Sequence, residues 1–90
     1  MLNYLVEFIG TFVFLSVILR IGEPIPIAVG LLAAIYFGGS ISGGHFNPAV
    51  SFMMYLKENL SMQDLPLYVL AQLLGGASAL QFQNMIPVSA

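Results

Sequence analysis

Apolar residues in this chain come in long unbroken runs, and the polar positions that interrupt them mark out its segments. The first run, LNYLVEFIGTFVFLSVIL from about Leu2 to Leu19, carries a single charge, Glu7. At ~1.5 Å per residue it makes a helix of about 27 Å, close to the ~30 Å hydrocarbon thickness of a bilayer. Arg20-Ile21-Gly22-Glu23 reads as a short polar turn. Pro24 and Pro26 suit the first turn of a second helix, where a missing N–H costs nothing. That second run extends to about Ser40 with no charge after Glu23. A third begins between Ser61 and Pro66, where Ser61 and Asp64 have the spacing of a capping box, and continues through Phe82. The tail QNMIPVSA, from Gln83 to Ala90, is too short and polar for a further span.

Between the second and third runs the pattern breaks. Gly43 and Gly44 lower helix propensity across Ile41 to Phe46. Asn47 and Pro48 then restart a helix: Asn suits the N-cap, and Pro the first helical position. The new helix runs from Pro48 to about Leu56 and meets the polar stop Lys57-Glu58-Asn59. Its length, ~15 Å, is about half a span. The expected fold is an all-α membrane protein with three transmembrane helices plus one re-entrant half-helix. It forms one unit over residues 1–90, with spans at about 2–19, 24–40 and 65–82 and the half-helix at about 48–56.

Non-helical backbone at membrane depth is tolerated only where protein buries it or where it lines a wet cavity. The loop therefore predicts a pore. With its side-chain oxygen capping the helix, Asn47 keeps an NH2 free to donate. The helix start adds about half a positive charge, which would orient water oxygens inward and repel cations. Gly43, Gly44 and His45 are expected to turn backbone carbonyls to the lumen as acceptors.

Composition sharpens this picture. The chain is 59% hydrophobic and 7% charged, with a mean hydropathy of +0.95. A net charge of −2 gives no reason to expect a nucleic-acid partner. With no cysteine and one histidine, neither disulfides nor a metal site is expected. No cofactor is expected either: Gly43-Gly44 lacks the lysine of a phosphate loop. No nucleophile–base pair is evident, so the chain does not read as an enzyme. No basic stretch precedes the first run, so it is read as a retained span of an integral, multi-pass protein of the cell membrane.

Two stripes of small residues, Gly30-Ala34-Gly38 and Ala71-Gly75-Ala79, suit close helix packing and are available to pack against each other. Glu7 is the costly residue, at ~2.5–3.5 kcal/mol for a charge near a helix centre. It is expected to accept hydrogen bonds from N–H groups of the loop, with Gln72 serving the loop similarly.

At these residues the chain resembles the aquaporin, or major intrinsic protein, family. SGGHFNPAVS from Ser42 to Ser51 is similar to the first NPA loop. Glu7-Phe8-Ile9-Gly10-Thr11 resembles the first-helix pattern, and Tyr68, Ala71-Gln72, Gly75 and Ala77 the third-helix pattern. The resemblance implies a channel for water or small neutral solutes such as glycerol, with a cytoplasmic N-terminus. It implies that Asn47, Pro48 and Ala49 lie at the central constriction, and that carbonyls of Gly43, Gly44 and His45 line the pore.

Two departures qualify it. Family channels join two inverted halves, and the second carries an arginine after NPA; this chain has one such motif, followed by Val50. Family water channels also place an aromatic on the second helix, where gapless counting gives Ile27. The filter is then expected to be wider and more apolar. One half-helix cannot close a pore, so the expectation is a partner or a longer parent chain: a second copy in a homo-oligomer, antiparallel in one arrangement, a separate second-half chain, or a longer channel of which this chain is a piece. Arg20 and Lys57 fall on opposite faces, which leaves almost no positive-inside bias and permits both insertions. The competing expectation is a non-conducting truncated relative that associates with full-length channels.

Overall fold

A computed structural model describes residues 1–86. These residues form four α-helices in order: α1, Leu2–Arg20; α2, Pro24–Ser42; α3, Pro48–Leu56; and α4, Asp64–Met85. Three of them, α1, α2 and α4, are long and apolar enough to cross a membrane. The short helix has the expected bounds. α2 runs on to Ser42, past the expected stop at 40, because termination waits for Gly43. That glycine takes φ 93°, and its N–H bonds the Gly39 carbonyl at 2.9 Å, a left-handed helix end. The Ser61 hydroxyl accepts from the Asp64 N–H at 3.0 Å, and its carbonyl accepts from Leu65 N–H at 3.0 Å, so Ser61 closes the turn ahead of α4; the helix itself starts at Asp64, whose carboxylate goes to Tyr4 and leaves the capping box half-formed. α4 continues through Met85 into the segment read as a polar tail, whose last four residues, 87–90, lie outside the described ones.

α1 lies between its two long neighbours. α2 runs antiparallel to it, with Gly30 against Val17 and Gly38 against Val6. α4 runs parallel to it, with Gln72 beside Glu7 and Gly75 beside Thr11. At Gly75 the approach is backbone to backbone: a Cβ there would sit 2.7 Å from the Phe8 carbonyl oxygen. α2 and α4 make no close backbone approach; they meet at the end of α2, where the Tyr68 side chain reaches the Ser42 carbonyl. The two small-residue stripes therefore do not pack against each other as their spacing allowed; each brings its helix onto α1. Small side chains dictate close approach but not the partner.

The distribution of polarity is that of a lipid-facing molecule. The largest fully buried side chains are Gln72, Glu7, Thr11 and Ser51, whereas Leu5, Ile9, Val29, Leu32, Tyr36, Phe37, Leu70 and Leu73 face outward. In lipid, apolar surface gains nothing by turning inward, so polar groups that need partners collect at the helix contacts.

α3 ends in a paired motif: Asn59 N–H reaches the Met54 carbonyl at 2.8 Å, and Glu58 N–H reaches that of Tyr55 at 3.0 Å. Glu58 sits at the left-handed position of this motif, φ 69°. A residue with a Cβ pays ~1–2 kcal/mol there, and a carboxylate opposes the negative end of the helix dipole. Glu58→Gly should therefore raise the unfolding free energy in micelles by about 1 kcal/mol; an unchanged or lowered value would contradict this assignment.

Candidate functional site

Three left-handed residues turn the chain back into the bundle after α2. Gly43 and Gly44 take φ 93° and 67°, and Phe46 takes 53°. The glycines do this without penalty. Phe46 does not, and its ring shows what offsets the strain: it is 2% exposed, seated in a notch left by Gly10 and Gly38. A Cβ on Gly10 would come within 2.0 Å of the Phe46 ring. Gly10 stands about halfway along α1, so the loop descends to mid-bundle before α3 begins. Asn47 then returns to extended backbone, φ −162°, and its Oδ1 accepts from Ala49 N–H at 2.8 Å to cap α3.

Glu7 holds this loop down. Its carboxylate is fully buried. Oε2 accepts from the Ser42 hydroxyl at 2.7 Å and His45 N–H at 3.0 Å. Oε1 accepts from Phe46 N–H at 2.8 Å and the Gln72 amide at 2.9 Å. An ionised carboxylate only accepts and offers about four lone-pair sites; all are used. No cation takes part, so the desolvation cost is offset by four charge-assisted donors.

A second layer joins α3 to α4. Ser51, fully buried, accepts from the Gln72 amide at 2.8 Å and stands 2.8 Å from His45 Nδ1. The Tyr68 hydroxyl donates to the Ser42 carbonyl at 2.7 Å, while its ring lies against those of His45 and Tyr4. Gly44 N–H reaches the Ser42 hydroxyl at 3.2 Å. Tyr4 donates in turn to Asp64 at the start of α4.

The structure gathers Gly43 through Val50 into one feature. Asn47, Pro48 and Ala49 are exposed together at the start of α3; His45 is buried; Gly44 and Val50 are half-buried. Ile27 is not among them. It sits in the first turn of α2, ~16 Å along the helix from Gly38. A polar hollow of about 430 Å³ opens on one side of the loop, lined by residues including Ser42, Gly43, His45, Asn59, Asp64 and Tyr68. An apolar hollow of about 420 Å³ lies on the other, between α1 and α2 beside Phe46. Sequence reasoning named Glu7 and Gln72 but missed the parts played by Ser42, Ser51 and Tyr68. The available signal was two hydroxyls bracketing the loop at the ends of apolar helices.

The family profile described as major intrinsic protein matches residues 1–89. The glycerol uptake facilitator protein-like 6 of Lactiplantibacillus plantarum is 40% identical over 88 residues, covering 88% of this chain and 41% of that protein. Human aquaporin-9 is 43% identical over 84 residues, covering 77% of this chain and 28% of that one. Aquaporin TIP1-1 of Arabidopsis thaliana is 46% identical over 52 residues, covering 58% of this chain and 21% of its own. The chain thus spans less than half the length of these relatives. No solved structure gives a significant match.

The carboxylate geometry makes one substitution decisive. Each oxygen of Glu7 takes a different backbone N–H, so in Glu7→Gln either amide orientation points an NH2 at one of them. Each orphaned buried donor costs about 1–3 kcal/mol. Denaturant unfolding in micelles should show Glu7→Gln destabilised by at least that amount; equal stability would mean that the carboxylate does not hold the loop.

Proposed function

The chain belongs to the major intrinsic protein family, and from that membership we propose that it forms half of a membrane channel for passive passage of water or small neutral solutes such as glycerol. The observation that carries the reading is the start of α3, at mid-bundle depth with Asn47 exposed. Its Oδ1 is committed to the cap, so its NH2 is left for a passing oxygen, backed by the positive end of the helix. Pro48 and Ala49 complete that constriction, and the carbonyls of Gly43, Gly44 and His45 offer acceptors along the approach. Ile27 and Val50 belong to the mouth, where an aliphatic pair in place of an aromatic and an arginine leaves a wide, apolar filter. The setting is a multi-pass protein of the cell membrane.

The second half comes from another copy inserted in the opposite sense, from a separate chain, or from further residues of a longer parent chain. What supports a partner is the loop itself: exposed backbone at this depth is not stable against lipid. The near-balance of Arg20 and Lys57 across the two faces favours the antiparallel copy. A second reading is a non-conducting relative that joins full-length channels.

Osmotic swelling of liposomes holding only this chain separates the two. The channel reading expects water entry faster than in empty vesicles, lost with Asn47→Ala. No acceleration by a chain shown to be folded would favour the non-conducting relative. Ile27→Phe should narrow the mouth and lower glycerol permeability more than water permeability; equal effects on both would remove Ile27 from the filter.

A further inference from the structure

The donors and acceptors around His45 can be followed one at a time, and they end on a single answer. Glu7 only accepts, so the Gln72 group 2.9 Å from its Oε1 must be the amide nitrogen. The same nitrogen stands 2.8 Å from Ser51 Oγ. Both amide protons are thereby spent, one on each partner. This orientation leaves Gln72 Oε1 buried without a partner. The orphan is tolerated because the flipped amide would set that oxygen against the carboxylate. Ser51 Oγ, having accepted from Gln72, keeps its own proton to give. The remaining neighbour is His45 Nδ1, at 2.8 Å. Nδ1 therefore accepts, and the ring proton sits on Nε2.

His45 lines the polar hollow with Ser42, Gly43, Asn59, Asp64 and Tyr68. Among the described residues Nε2 has no hydrogen-bond partner, and it is not sealed off as Gln72 Oε1 is. It lies on the Gly43 side of the ring, where a Cβ on Gly43 would approach it to 3.1 Å.

We infer that Ser51 and Gln72 are positioning residues that lock His45 in the Nε2–H tautomer, making its ring a fixed hydrogen-bond donor facing the passage. The transport consequence rests on the channel reading above; the tautomer does not. A molecule at this point must offer an acceptor. Water and polyol hydroxyls can do so, whereas ammonium, which has only donors, cannot. The ring thus adds a second, side-chain donor, set apart from Asn47 along the route, that favours neutral oxygen-bearing solutes.

Imidazole ¹⁵N NMR of the full chain in nanodiscs, recorded under alkaline conditions that favour the neutral ring, tests the assignment. The expected wild-type spectrum is one tautomer, with a proton on Nε2 and an unprotonated, hydrogen-bonded Nδ1. Ser51→Ala should lose this preference and show both tautomers in exchange, and Ser51→Thr should restore it. A wild-type proton on Nδ1, or a tautomer unchanged in folded Ser51→Ala, would overturn the inference. Swelling assays on the same samples keep the two claims apart. The expected tautomer without conduction removes the channel and leaves the lock, while conduction with the proton on Nδ1 does the reverse.

Discussion

A carboxylate buried without a cation is the constraint on which this structure depends. Glu7 faces the protein interior in the second turn of α1, and four donors from three other parts of the chain converge on it. The end of α2 contributes Ser42, the loop contributes two consecutive backbone N–H groups, and α4 contributes Gln72. Each side of the arrangement is costly alone: a lone anion in lipid, and loop N–H groups where no water can reach them. Together they satisfy one another. That mutual need explains why a charged residue stands in the middle of an apolar span.

Other features follow from where this anchor pulls the chain. Entering the bundle within a few residues requires three left-handed positions, one of them Phe46. The Phe46 ring fits only because Gly10 and Gly38 leave a notch for it. Gly75 lets α4 approach the backbone of α1 closely enough for Gln72 to reach the carboxylate and Ser51 together. The glycines are thus tied to the polar network: they set the helix separations at which its short hydrogen bonds can form. Among the described residues the buried hydroxyls of Thr11 and Ser16 have no partners, so the polar layer is not saturated along α1.

What could be read from the sequence divides along the same physical line. Local backbone chemistry was legible. Asn47 and Pro48 place a helix start, Lys57 to Asn59 an end, and α3 has those bounds. The role of Glu7 was legible because an intramembrane carboxylate must find donors, and the loop had unpaired ones to give. Pairing was not legible. Both small-residue stripes face α1, and no spacing rule distinguishes that from mutual contact. Nor did the sequence reveal that α2 would run on to Ser42, since a glycine ends a helix only where the chain turns. Ser42 and Ser51 were hidden by size: a serine in an apolar run gives no sign of whether it bonds its own helix or a distant side chain.

The central claim is that the loop, pinned by Glu7, sets the start of α3 near the middle of the bilayer. The chain has no cysteine, so Ala49→Cys, exposed in the first turn of α3, accepts a single nitroxide label. Power-saturation EPR in liposomes then reads its depth directly, with Ile25→Cys at the start of α2 as a surface reference. The account predicts a label close to the bilayer centre, ~15 Å from either face of the hydrocarbon core. A label at headgroup depth, level with the one at residue 25, would contradict it.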